Sequence, residues 1–98
     1  MKHEIIFSPE AIADFKALKA NVRATVRDAI ETHLRFEPEK ISKSRIKKLK
    51  GISRPEYRLR VDQVRVFYDI REDRVEILAI VDKAQASMWL KMLEEGEP

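Results

Sequence analysis

The segment Tyr57-Arg58-Leu59-Arg60-Val61-Asp62-Gln63-Val64-Arg65-Val66-Phe67-Tyr68 alternates apolar and basic residues, breaks for two polar positions, and resumes rich in β-branched and aromatic side chains. A period of two on both sides of a two-residue link is the pattern of a β-hairpin with one face for a core and one for something else. If Tyr57, Leu59 and Val61 face the core, Arg58 and Arg60 must face the other way, and Arg65 can lie opposite them across the hairpin.

Toward the C-terminus, Arg71-Glu72-Asp73-Arg74 reads as the next turn. Val75 to Val81 is apolar enough for the central, most buried strand, which completes a three-strand meander. Asp82 is placed to cap a last helix in which Ala86, Trp89, Leu90 and Leu93 share one face, and Glu94 to Pro98 reads as an acidic frayed tail. Toward the N-terminus, a short strand over Lys2 to Phe7 ends at Ser8-Pro9, a capping residue followed by proline at the first helical position. Ala11, Ile12, Phe15 and Leu18 recur at helical spacing. After a break near Ala20-Asn21 the pattern resumes with Val22, Val26, Ala29, Ile30, His33 and Leu34, and Pro38 stops it near Phe36. Two helices so closely connected form an antiparallel hairpin whose apolar stripes need a sheet to cover. The expected fold is α+β: a small, mostly antiparallel four-strand sheet, an N-terminal helical hairpin on one face, and a short C-terminal helix, in one domain spanning residues 1–98.

The chain has 98 residues, of which 44% are hydrophobic and 38% charged, a balance that gives a packed core under a heavily charged surface rather than disorder. It has no cysteine, which removes disulfides and thiolate metal sites. No apolar stretch approaches the roughly 20 residues of a membrane span, and Met1 to Phe7 lacks a cleavage signal, so a soluble cytoplasmic protein with no membrane partner is expected. The net charge of +3 conceals a strong segregation. Between Lys40 and Arg60, nine basic residues face Glu56 alone, a local excess of eight that leaves −5 for the rest of the chain. One strongly positive surface on an acidic body attracts a polyanion and orients it.

Three guanidiniums on one strand face repel each other, so a bound phosphate or an acidic partner accounts for Arg58, Arg60 and Arg65 better than folding does. The bland alternative is a solvated face with salt bridges to Glu56, Asp69 or Glu76. The run Arg45-Ile46-Lys47-Lys48-Leu49-Lys50-Gly51 is read as a basic loop tethered by Ile41, Ile46 and Leu49, its lysines suited to a phosphate backbone. His33 on the apolar stripe reads as a partly buried structural histidine, and Trp89 as an anchor of the last helix. His3 and His33 have no metal-ligand spacing, the two glycines form no phosphate loop, and Ser87 has no histidine-and-acid companions, so no metal, cofactor or serine nucleophile is expected.

Taken together, Lys48-Leu49-Lys50-Gly51, Tyr57-Arg58-Leu59-Arg60-Val61, Arg65-Val66-Phe67-Tyr68 and Ile77-Leu78-Ala79-Ile80-Val81 resemble the RelE/ParE superfamily of toxins from type II toxin–antitoxin systems, in its RelE-like branch. The likeness covers nearly the whole chain and is most specific at YRLRV followed by RVFY. It implies a RelE-like fold, a neutralising antitoxin partner, and metal-independent cleavage of mRNA on the ribosome, with translation as the process inhibited. By position, Arg58 and Arg60 stand where that branch has catalytic lysines, and Arg65 where it has a phosphate-binding arginine. Arginine stays protonated, so these changes keep charge stabilisation and move proton transfer elsewhere. The family's C-terminal arginine and tyrosine correspond here to Ala84 and Leu90, which leaves Lys83 as the neighbouring cation. Lys48, Lys50 and Tyr57 stay open as the proton-transferring group. The expected catalytic residues are thus Arg58, Arg60, Arg65, Lys50 and Lys83, and the expected RNA-binding residues, from the basic segment, are Arg45, Lys47, Lys48, Lys50 and Arg54. The alternatives are a ParE-like inhibitor of DNA gyrase, or a catalytically degenerate toxin that acts only by binding antitoxin or ribosome.

Overall fold

In the computed structural model, which describes residues 2–96, the hairpin forms as β3 (Tyr57–Val61) and β4 (Val64–Arg71), and Leu59 pairs with Val66 in antiparallel register. Asp62 takes a φ of 52° at the link, a left-handed conformation that aspartate tolerates because its short side chain bonds locally. A second turn, with Glu72 at φ 58°, leads into β5 (Arg74–Asp82). The remaining elements are β1 (Glu4–Phe7), α1 (Pro9–Ala17), α2 (Ala20–Leu34), β2 (Ile46–Lys48) and α3 (Lys83–Gly96).

The sheet has five strands in the order β1-β5-β4-β3-β2, with β1 parallel to β5 and every other pair antiparallel. Two details differ from the sequence expectation. The fifth strand is β2, inside the basic segment read as a loop: Ile46 pairs with Leu59 and is buried, while Lys47 and Lys48 remain exposed and mask the alternation. The middle strand is β4 rather than β5, because β2 extends the sheet beyond β3 while β1 alone lies outside β5. Arg65 and Asp69, both buried, make β4 look more polar than the strand it flanks.

One sheet face carries the helical hairpin. Ser8 caps α1 by accepting the Ala11 amide at 3.1 Å, and Pro9 occupies the first turn as expected. Ala11 of α1 and Val26, Ile30 and Leu34 of α2 pack on Leu59, Val61, Val66, Tyr68, Val75 and Ile77. Burying a side chain of this size contributes about 1.5–3 kcal/mol, so this layer dominates stability. A register shift opposite Phe67 and Tyr68 leaves Leu78 unpaired. Ser8 Oγ donates to the Leu78 carbonyl at 3.1 Å, and the Ile80 amide donates to Asp14 Oδ2 at 3.0 Å, so α1 satisfies what the bulge releases. The hydroxyl of fully buried Tyr68 donates to the Pro38 carbonyl at 2.6 Å and ties down the path between α2 and β2. Burial drives the Tyr68 pKa far upward, so it remains neutral.

The opposite sheet face meets α3. Trp89 stacks on Phe67 with ring centroids 4.7 Å apart and planes 19° apart, which anchors the helix as expected. The helix continues through Gly96, so Glu94 to Gly96 are helical rather than a frayed tail, and Glu97 and Pro98 lie outside the described residues. Ile41, expected to tether the basic segment, is 57% exposed; Ile46 and the partly buried Leu49 tether it instead. Among the described residues, no helix is long and apolar enough to cross a membrane.

Candidate functional site

Pairing in the sheet fixes the arginines. Residues directly opposite in register share a face, so Lys47, Arg58 and Phe67 form one row across β2, β3 and β4, and Arg60 and Arg65 form the next. These rows lie on the α3 side. Between them and α3 runs a cleft of about 320 Å³ lined by Lys47, Arg58, Arg65, Phe67, Lys83 and Ser87, among others. Arg60 stands beside it, exposed.

Backbone carbonyls hold the Arg65 guanidinium: Nη1 donates to Asp62 O at 2.9 Å and to Val64 O at 3.1 Å. Carbonyls orient a cation without neutralising it. Arg58 is barer still, because its buried Nε has no hydrogen-bond partner. Desolvation first, then the charges of Arg65 and Arg60, pull the Arg58 pKa below the ordinary arginine value; desolvation and Arg60 do the same to Arg65. Both shifts register the like-charge repulsion anticipated from the sequence. Among the described residues, no carboxylate forms an ion pair with Arg58, Arg60 or Arg65.

Two of the three carboxylates offered as the bland alternative, Asp69 and Glu76, are engaged elsewhere. Asp69, fully buried on the same sheet face, accepts Arg54 Nε at 2.6 Å on one oxygen and the Glu56 amide at 2.7 Å on the other. Glu76, directly opposite Asp69, accepts Arg54 Nη2 at 3.3 Å and Arg71 Nε at 3.1 Å.

Of the residues singled out in the sequence, the cleft gathers Arg58, Arg65, Lys83 and Lys47, with Arg60 at its side. Arg54 sits in the carboxylate network. Lys50 is exposed in the link between β2 and β3 and is not part of the lining. Lys48 points to the helical-hairpin side, its Nζ 6.0 Å from the Tyr57 ring centroid. Tyr57 stacks on Tyr68 on that same side, 5.4 Å between centroids, facing away from the cleft. Arg45 lies with Lys40 and Ser42 around a separate hollow beside His33, whose pKa is lowered by burial and then by Arg45. Ser87 and Leu90 are lining residues not anticipated as such. Their spacing from Lys83, at three- and four-residue steps along α3, was the available signal.

Chemically, the cleft is a receptor for an anion. Guanidiniums bind phosphate oxygens through paired N–H donors, and ammonium groups add mobile charge. The lining contains no carboxylate, imidazole or phenol. Apart from the guanidiniums, the lining groups that carry a transferable proton are the ammonium groups of Lys47 and Lys83 and the Ser87 hydroxyl. Among the described residues, no three His, Asp or Glu side chains cluster in a way that would hold a metal.

Residues 5–87 match the family model for the ParE toxin of the type II toxin–antitoxin system, parDE. No curated protein sequence matches the chain. Several solved structures share the fold. A chain of the RelBE2 toxin–antitoxin complex from Mycobacterium tuberculosis superposes with a TM-score of 0.72 at 21% identity, covering 84% of this chain and 99% of its own. A chain of the RelB–RelE antitoxin–toxin complex from Methanococcus jannaschii gives 0.65 at 20% identity, covering 86% and 96%. A mutant of the E. coli toxin RelE in the free state gives 0.58 at 19% identity, covering 97% of both chains.

Proposed function

The chain belongs to the ParE toxin family of type II toxin–antitoxin systems, and we propose that this toxin inhibits translation by cutting messenger RNA on the ribosome. The observation that carries this reading is the cleft itself: Arg58 and Arg65, unpaired and partly desolvated, with Lys47 and Lys83 beside them. An arginine buried without a counter-ion costs stability, and a phosphodiester restores the missing charge.

The step needs no redox partner. The ribose 2′-oxygen attacks the adjacent phosphorus, the bond to the 5′-oxygen breaks, and a 2′,3′-cyclic phosphate and a 5′-hydroxyl result. Arg58 and Arg65 donate to the non-bridging oxygens as negative charge grows on them, with Arg60 adding to the field. One proton leaves the 2′-hydroxyl and one reaches the 5′-oxygen. Of Lys47 from β2 and Lys83 from α3, one acts as the free amine that takes the first proton and the other as the ammonium that supplies the second. The partner that silences the toxin is a cognate antitoxin whose acidic segment folds over the same cations, in the cytoplasm. The complexes formed by its structural relatives support that partner.

Purified toxin added to ribosomes carrying a defined message tests this directly. New RNA ends inside the coding region, absent without ribosomes and absent with Arg65→Ala, are expected; an intact message overturns the reading. The family match favours a second reading, inhibition of DNA gyrase in the manner of ParE. Loss of gyrase supercoiling together with an intact message would establish it.

A further inference from the structure

A fully buried carboxylate stands one diagonal away from Arg58, yet the two do not pair. Arg58 is opposite Phe67, and Asp69 lies two residues further along the same strand face. Diagonal neighbours of this kind are roughly 7–8 Å apart, within reach of a long side chain. What prevents the pairing is occupancy. Arg54 takes one Asp69 oxygen at 2.6 Å, and the Glu56 amide takes the other at 2.7 Å. Arg54 also reaches Glu76, which Arg71 holds from its other side. Both Asp69 and Glu76 are therefore engaged before Arg58 can claim either, and Arg58 Nε is left buried and unpartnered.

We infer that Arg54 is a positioning residue that keeps the cleft charged: by occupying Asp69 and Glu76 it withholds both from Arg58, so that Arg58 stays available to an external phosphate. This rests on the cleft being a phosphate receptor, as in the function proposed above. Arg54 itself is not part of the cleft lining. It lines a neighbouring hollow with Pro9, Pro55, Leu78 and Trp89, on the far side of the Phe67–Trp89 stack.

The experiment uses the full chain and a short single-stranded RNA oligonucleotide, followed by fluorescence anisotropy. Arg54→Met keeps the bulk of the side chain and removes its charge. It is expected to weaken RNA binding about tenfold, because Asp69 turns to Arg58. Adding Asp69→Asn, which still accepts the Glu56 amide, is expected to restore affinity to within about threefold of wild type. Arg54→Met with the remote Glu4→Gln controls for net charge and should stay weak. Undiminished affinity in Arg54→Met, or equal recovery with Glu4→Gln, overturns the inference. Should Arg54→Met not fold, Arg54→Ala, which likewise donates nothing to Asp69, carries the same test with the same two outcomes. The Arg58 Nε–H signal in NMR reads the exchange of partners without RNA. It should move downfield in Arg54→Met as a bond to carboxylate forms, and return in the double variant; an unmoved signal is equally fatal. If wild type binds no RNA, the phosphate-receptor reading fails, and the NMR signal alone judges the role of Arg54.

Discussion

The face of the sheet under α3 has two ends built from the same strands, and they handle charge in opposite ways. At the end toward the β4–β5 turn, Arg54 and Arg71 are matched by Asp69 and Glu76 in a continuous network. Toward the β3–β4 turn, Arg58, Arg60 and Arg65 crowd together, and among the described residues no carboxylate forms an ion pair with them. The paired end serves folding, since a buried charge must find a partner. The unpaired end lowers the stability of the free protein, and a site of that sort is maintained for something that binds there.

The largest expected effect breaks the unpaired end. Arg58→Gln with Arg65→Gln keeps much of the side-chain volume and removes two charges that receive phosphate. RNA affinity should fall by about 100-fold or more, because each charge-assisted hydrogen bond contributes about 1.5–3 kcal/mol. Thermal stability should hold or rise as the repulsion disappears. A Tm that drops steeply would mean the arginines were structural after all.

Breaking the paired end should do the reverse. Asp69→Ala strands the Glu56 amide and Arg54, and should cost about 2 kcal/mol, near 10 °C in Tm. Chemical denaturation reads this against Arg71→Ala, which removes a half-exposed partner from Glu76 and should cost less than about 0.5 kcal/mol.

Trp89→Ala sharpens the contrast by loosening α3, the wall that carries Lys83. Amides of α3 should exchange faster while those of β4 stay protected, and RNA affinity should fall by about threefold. The smallest effect comes from outside both ends. Burial and Arg45 hold the His33 pKa below its ordinary 6.5, so the folded chain binds fewer protons than the unfolded one as pH falls through that value. Stability is therefore lost toward acid pH. Between about pH 7.5 and 5.5, the Tm of wild type should fall about 1–2 °C further than that of His33→Gln.

The hairpin and the shared face of Arg58, Arg60 and Arg65 were legible because period-two alternation leaves a strand's faces no freedom. The two helices and their stop before Pro38 were legible for the corresponding reason at period 3.6. The strand at Ile46 was not, since three residues with two lysines carry too little pattern. Nor was the centrality of β4, because a buried Asp69 and Arg65 look polar until their partners, the Glu56 amide and backbone carbonyls, are seen. Lys48, Lys50 and Tyr57 stood equal in the sequence as proton donors. The register separates them, sending Tyr57 and Lys48 to the hairpin side, while Lys47 and Lys83 enter the cleft. Which carboxylates Arg54 consumes is a three-dimensional fact with no trace in spacing.

The salt dependence of RNA binding, compared between wild type and the Arg58→Gln, Arg65→Gln double variant, tests most directly whether the bare guanidiniums hold phosphates. Each phosphate of single-stranded RNA that the variant no longer neutralises should flatten the plot of log affinity against log salt by about 0.7, so the variant's slope should be shallower by about 0.7 to 1.4. Parallel lines for the two proteins would contradict the account, because they would place the bound phosphates somewhere other than this cleft.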